Sequence, residues 1–241
     1  QEKGIDRALE IAAMITDELK KLNALLKVLH EDKISDNQIN KALKIIEKMT
    51  SFYKAIALEN VCSAITKKGN IDYALKITNT IPSDLHKGYA LSFIFNHNLT
   101  TNQINHALKI ISELEDSPKN WALNYISISI AKTGNVYQSL KITDMINNSW
   151  SKSCTLKKIS SEIAETGNID RALDIAAMIT DPNPKRAALY NIGKVGITID
   201  QANRALEIAA AITNSEEKEI AEKNINNLIQ HLNAIKIQKL F

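Results

Sequence analysis

The chain has 241 residues, 44% of them hydrophobic and 5% aromatic, with only 7 Gly and 4 Pro. So few breakers exclude a sandwich or barrel that turns every ~8–12 residues, and the abundance of Ala, Leu, Ile, Lys and Glu predicts an all-α chain. The 30 basic and 27 acidic residues leave a net charge of +3, short of the basic excess usual in nucleic-acid-binding proteins. No apolar run approaches the ~18 residues of a membrane span.

In chain order, the first predicted element is a helix over GIDRALEIAAMIT (4–16), with Asp6 in its first turn. Further copies are NQINKALKIIEKM (37–49), GNIDYALKITNTI (69–81), NQINHALKIISEL (102–114), GNVYQSLKITDMI (134–146), GNIDRALDIAAMIT (167–180) and DQANRALEIAAAI (200–212). Their small leading residues are Ala8, Ala42, Ala74, Ala107, Ser139, Ala172 and Ala205, at steps of 34, 32, 33, 32, 33 and 33 residues. Such regularity marks a repeat architecture. Upstream of the Ala-Leu helix, here B, lies a second helix, A. Its apolar face reads Leu58, Val61 and Ile65, then Leu123, Ile126 and Ile130, then Leu156, Ile159 and Ile163, at i, i+3 and i+7. Gly69, Gly134 and Gly167 in Gly-Asn turns are placed to end helix A. Asp72 and Asp170, like Asp6, are placed in the first turn of B, where a carboxylate complements the helix dipole. All four prolines fall between B and the next A. Residues 216–241 predict a C-terminal capping helix, with Ile220, Ile225, Leu228, Ile229 and Leu232 on one face.

One helix pair cannot bury its own apolar faces, so each unit must stack on the next. The expectation is a single right-handed α-α superhelix over 1–241, with about seven helix pairs of roughly 33 residues and 1–16 as a partial first repeat. Gln1 opens inside the pattern, as at a processing boundary. Cys62 and Cys154 allow no disulfide framework and are expected to be buried, inert thiols in A helices.

The run TLKKISSEIAETGNIDRALDIAAMITDPNP (155–184) resembles a tetratricopeptide repeat. Leu156, Ile159, Ile163, Gly167, Ile169, Ala172, Ala176 and Pro184 stand at that family's signature positions, with aliphatic residues where it keeps aromatics. KKGNIDYAL (67–75) and KTGNVYQSL (132–140) are also similar to pentatricopeptide repeats, which are longer than the period here. The pentatricopeptide resemblance implies base-reading residues ten positions before the Gly. These are Lys27, Glu59, Ser92, Asn124, Lys157 and Tyr190, of which only Ser92 and Asn124 have the required chemistry. The tetratricopeptide resemblance implies binding through a concave face lined by the A helices. Its register places Lys27, Glu31, Glu59, Ser63, Ser92, Asn96, Asn124, Lys157, Ser161, Tyr190 and Lys194 there. That set is polar and mixed in charge, without the Lys/Asn pattern that holds acidic chaperone tails, and offers Lys157 and Lys194 as anion contacts to an extended or helical peptide.

Lys54, Lys87, Lys119, Lys152 and Lys185 recur at steps of 33, 32, 33 and 33, each four residues before the first core residue of an A helix. Stacked at the helix-packing distance of about 10 Å, they offer a ridge for a polyanion. Alternatively they serve the fold, with Asp84, Asp116 and Asp181 capping and pairing with them and their stems covering a neighbouring helix. His30, His86, His97, His106 and His231 are scattered and expected at the surface or at helix ends. There is no metal-ligand spacing and no glycine-rich phosphate loop. No catalytic residue, cofactor, metal or small-molecule substrate is expected, and the composition is of a soluble, cytoplasmic type. The expected function is a scaffold that binds a peptide or protein partner. An RNA- or polyanion-binding repeat, or a structural segment of a longer array, is the alternative.

Overall fold

A computed structural model describes residues 2–238. Positions 1 and 239–241, at the ends of the partial first repeat and of the capping segment, lie outside the described residues. The helices are α1 (Glu2–Met14), α2 (Glu18–Leu29), α3 (Asp36–Ile46), α4 (Ser51–Lys67), α5 (Ile71–Thr80), α6 (Asp84–Ile94) and α7 (Thr101–Ser112). They continue as α8 (Asp116–Lys132), α9 (Val136–Thr143), α10 (Ser149–Glu165), α11 (Ile169–Ala177), α12 (Pro182–Lys194), α13 (Ile199–Ala210) and α14 (Ser215–Gln238). Among the described residues there is no strand. Odd-numbered helices are the B elements and even-numbered ones the A elements.

The chain divides into two compact units, 1–122 and 123–241. In the first, α4 packs on α5 and α6, and α5 on α6 and α7. In the second, α10 packs on α11 and α12, α12 on α13 and α14, and α13 on α14. Helices α4, α5, α10, α11 and α12 each meet their successor and the helix after that.

Capping explains where the B helices begin. Gly69, Gly134 and Gly167 take φ values of 80°, 86° and 86°, a region open to glycine at little cost. The next residue, Asn70, Asn135 or Asn168, caps the following helix by accepting from the backbone N–H three positions on. Where the Gly-Asn turn is missing, Ser35, Thr100 and Thr198 form capping boxes with Gln38, Gln103 and Gln201. That signal, S/T-x-x-Q, is legible in the sequence but is not a feature of apolar periodicity.

The first-turn carboxylates tie one B helix to the next. Asp72 accepts from Gln103 Nε2 and Asp170 from Gln201 Nε2, both at 3.3 Å. Asp6 pairs with Lys41 at 2.7 Å, but it is the fifth residue of α1, in the second turn. Among the described residues α1 already runs from Glu2, ahead of the start that the repeat predicts at Gly4. The A helices are tied at their N-termini. Glu18 accepts from the Thr50 N–H at 2.8 Å and from its hydroxyl, which holds its carboxyl below the usual range. Asp84 accepts from the Glu115 N–H at 3.0 Å.

The small B residues Ala42, Ala74, Ala107, Ser139, Ala172 and Ala205 are buried, as are the aliphatic triads of α4, α8 and α10. In α14, Ala221 and Ile225 are buried while Leu228, Ile229 and Leu232 lean on the core. Ile220 is exposed instead of joining them. Neighbouring Ala221 takes the inward position, one turn before the buried Ile225. Cys62 is buried, and burial pushes its thiol up to about 12, which keeps it protonated and unreactive. Cys154 is only half-buried. It stands at the sixth helical position, which in α6 and α8 holds Tyr89 and Trp121, neither of them buried.

Candidate functional site on the A helices

Counting from the N-cap of each A helix puts Leu26, Glu59, Ser92, Asn124, Lys157 and Tyr190 at the same, ninth, position. Lys27 stands one residue off that register. No Gly-Asn turn follows α2, so counting back from a glycine has no anchor there.

Several of these side chains are already engaged. Glu59 Oε2 lies 2.5 Å from His86 Nδ1, both half-buried. His86, in the first turn of α6 and so at a helix end, joins α4 to α6. Its ring meets Tyr89 edge-on at 5.8 Å, and Tyr89 meets Trp121 at 4.9 Å. Asn124 Nδ2 donates to Thr155 Oγ1 at 2.5 Å. Ser161 accepts from Asn191 Nδ2 at 3.0 Å and donates to the Lys157 carbonyl. Ser92 donates to the Tyr89 carbonyl. Ser63 and Lys157 are half-buried, whereas Lys27, Glu31 and Asn96 are exposed.

Tyr190 and Lys194 differ from the rest. Tyr190 is 47% exposed, and the Lys194 amine sits 5.2 Å from its ring centroid, a cation–π distance. They border a cleft of about 330 Å³ between α12 and α14. Leu189, Ala221, Ile225 and Leu228 form its apolar base, and Arg186, Asn224 and Asn227 its polar edge. Arg186 is neutralised by Glu217, which also accepts from Asn183 Nδ2 at 3.1 Å. Sequence reasoning finds Tyr190 and Lys194 but misses the residues on α14. Apolar periodicity reports that a helix caps the core, not that a recess opens beside it.

The backbone N–H of each ladder lysine donates to the N-cap carbonyl, so all five are fourth residues of A helices. Lys21 and Lys218 occupy the same position, and the ladder therefore has a member on every A helix. The Lys54 amine donates to the Glu47 carbonyl at 3.3 Å, and that of Lys152 pairs with Asp144 at 2.8 Å. Glu47 and Asp144 are the C-caps of α3 and α9, so both cations sit at the negative end of the preceding B helix. Lys87 pairs with Asp84 at 3.3 Å. Lys185 is 8% exposed, and burial pushes its amine below the usual lysine range. Asp181 does not pair with it; its carboxylate accepts from the hydroxyls of Ser153 at 2.6 Å and Ser149 at 3.0 Å. Lys119 is half-buried and Asp116 lies in the first turn of α8.

Among the described residues, no group of three His, Cys, Asp or Glu side chains is placed to hold a metal, and no helix is long and apolar enough to cross a membrane. No family model and no curated protein matches the chain. Among solved structures, Ton1535 from Thermococcus onnurineus NA1 aligns over 93% of this chain and 96% of its own, at 16% identity and a TM-score of 0.24.

Proposed function

We propose that this chain is a tetratricopeptide-like scaffold whose helix pairs stack into a right-handed superhelix and bind a peptide or protein partner on the A-helix face. Support for the repeat reading comes from the recurring caps and from helices that meet both their successor and the one after. One observation carries the binding reading: the α12–α14 cleft joins an apolar base to a polar edge and is flanked by the half-exposed Tyr190. A recess of this kind suits an anchoring side chain.

Affinity capture from a lysate of the source cell at low and high salt tests this reading. The expected result is a protein retained at both salts and reduced about tenfold by Tyr190→Ala, an amount within the range for an interface aromatic. Recovery of nucleic acid alone, lost at high salt, would overturn it in favour of a polyanion-binding repeat.

A further inference from the structure

We infer that the α12–α14 cleft takes an internal acidic segment of a partner peptide, with an aliphatic or aromatic side chain on the cleft base and an adjacent Asp or Glu carboxylate on Lys194. The inference rests on the proposed binding function and names the chemistry of its partner.

The apolar half of the argument is the base. Leu189, Ala221 and Ile225 are nearly fully buried and floor the recess, so its accessible apolar surface comes from the half-buried Leu228, across from Gly193, and from the ring of Tyr190. A Cβ on Gly193 would meet Leu228 Cδ2 at 3.3 Å, so the glycine lets Leu228 pack against α12 at this end of the recess. Covering such a surface removes apolar area from water at about 25 cal/mol per Å².

Charge decides what flanks the apolar residue. The lining contains two cations and no carboxylate. Glu217 compensates Arg186 from outside it. The Lys194 amine lies over the face of Tyr190, and no ion pair holds it among the described residues. The uncompensated charge at the edge is therefore positive, and its complement is an anion. Asn224 and Asn227 lie one turn apart on α14, and neither side chain holds a hydrogen bond among the described residues. Each amide offers both donors and an acceptor, the pairing a peptide backbone requires. These amides favour a peptide over a simple amphipathic anion, which has no N–H to satisfy them.

The test is selection from a displayed library of random dodecapeptides against the full chain, followed by titration of end-blocked synthetic winners. Blocking the ends removes any terminal carboxylate. The expected winners place Asp or Glu within two residues of a large apolar side chain. Their affinity should fall at least tenfold with Lys194→Glu and severalfold with Asn227→Asp, both exposed positions, with the helical circular-dichroism spectrum retained. Winners without acidic enrichment, or winners indifferent to both variants, would overturn the inference while leaving the scaffold reading intact. Absence of any binding peptide would count against both. Binding of decanoate with the same variant dependence, in the absence of peptide winners, would overturn it in favour of a small anion.

Discussion

Ser127 shows what a small polar residue costs in a repeat core. It is fully buried, and among the described residues its hydroxyl has no hydrogen-bond partner, although its carbonyl accepts from Ser139 Oγ at 2.7 Å. A buried hydroxyl without a partner costs roughly 1–3 kcal/mol, whereas Ala fills nearly the same volume. Ser127→Ala should therefore raise stability by about 1 kcal/mol, measured by urea denaturation; a loss of that size would contradict the assignment. Asp181 predicts an acid-dependent effect. The Ser153 hydroxyl above all, then those of Ser149 and Thr180, hold its carboxyl below the usual range against the opposing effect of burial. A depressed carboxylate stabilises the fold above its unfolded pKa of about 3.9, and that stability is lost as pH falls through the lower folded value. Asp181→Asn should cost about 1 kcal/mol at pH 7, and the gap in Tm from the parent chain should close toward pH 2. A gap independent of pH would show that the charge is not involved.

At the scale of the element, the B helices depend on residues too small to hold neighbours apart. Ala172 and Ala176 are fully buried in α11, where α10, α12 and α13 all pack. Ala176→Leu adds three carbons to a filled site, and overpacking of this kind costs about 1–3 kcal/mol. The expected loss is read in urea midpoint, with Met178→Leu, at a 46% exposed position on the same stretch, as the near-neutral control. The ladder lysines also belong to this scale. A cation in the first turn of A opposes that helix's dipole, yet in Lys54 and Lys152 it reaches the C-cap of the preceding B, where the opposite end of a dipole favours it. The spacing of these lysines and the pairing of Lys87 with Asp84 were legible in the sequence. The partners of Lys54 and Lys152 were not, because the B-to-A link folds the two helix ends together.

At the scale of the whole molecule, the proposed superhelix makes a prediction about size. A compact chain of this length has a radius of gyration near ~18 Å. Small-angle scattering should give a clearly larger value for a stacked array of helix pairs, and a value at the compact limit would count against the superhelix.

The sequence alone determined the all-α class, the positions of the helices and the joints between them. Apolar spacing, Gly-Asn turns and prolines act over fewer than about ten residues, and each leaves its mark locally. Tertiary structure decided which polar residues remain available. Glu59 and Asn124 share a register with Tyr190, yet the first two are held by His86 on α6 and Thr155 on α10, while Tyr190 stays open beside α14. Those contacts join residues roughly thirty positions apart. Whether a side chain is consumed by packing depends on the neighbour that stacking brings to it, and no local pattern records that neighbour.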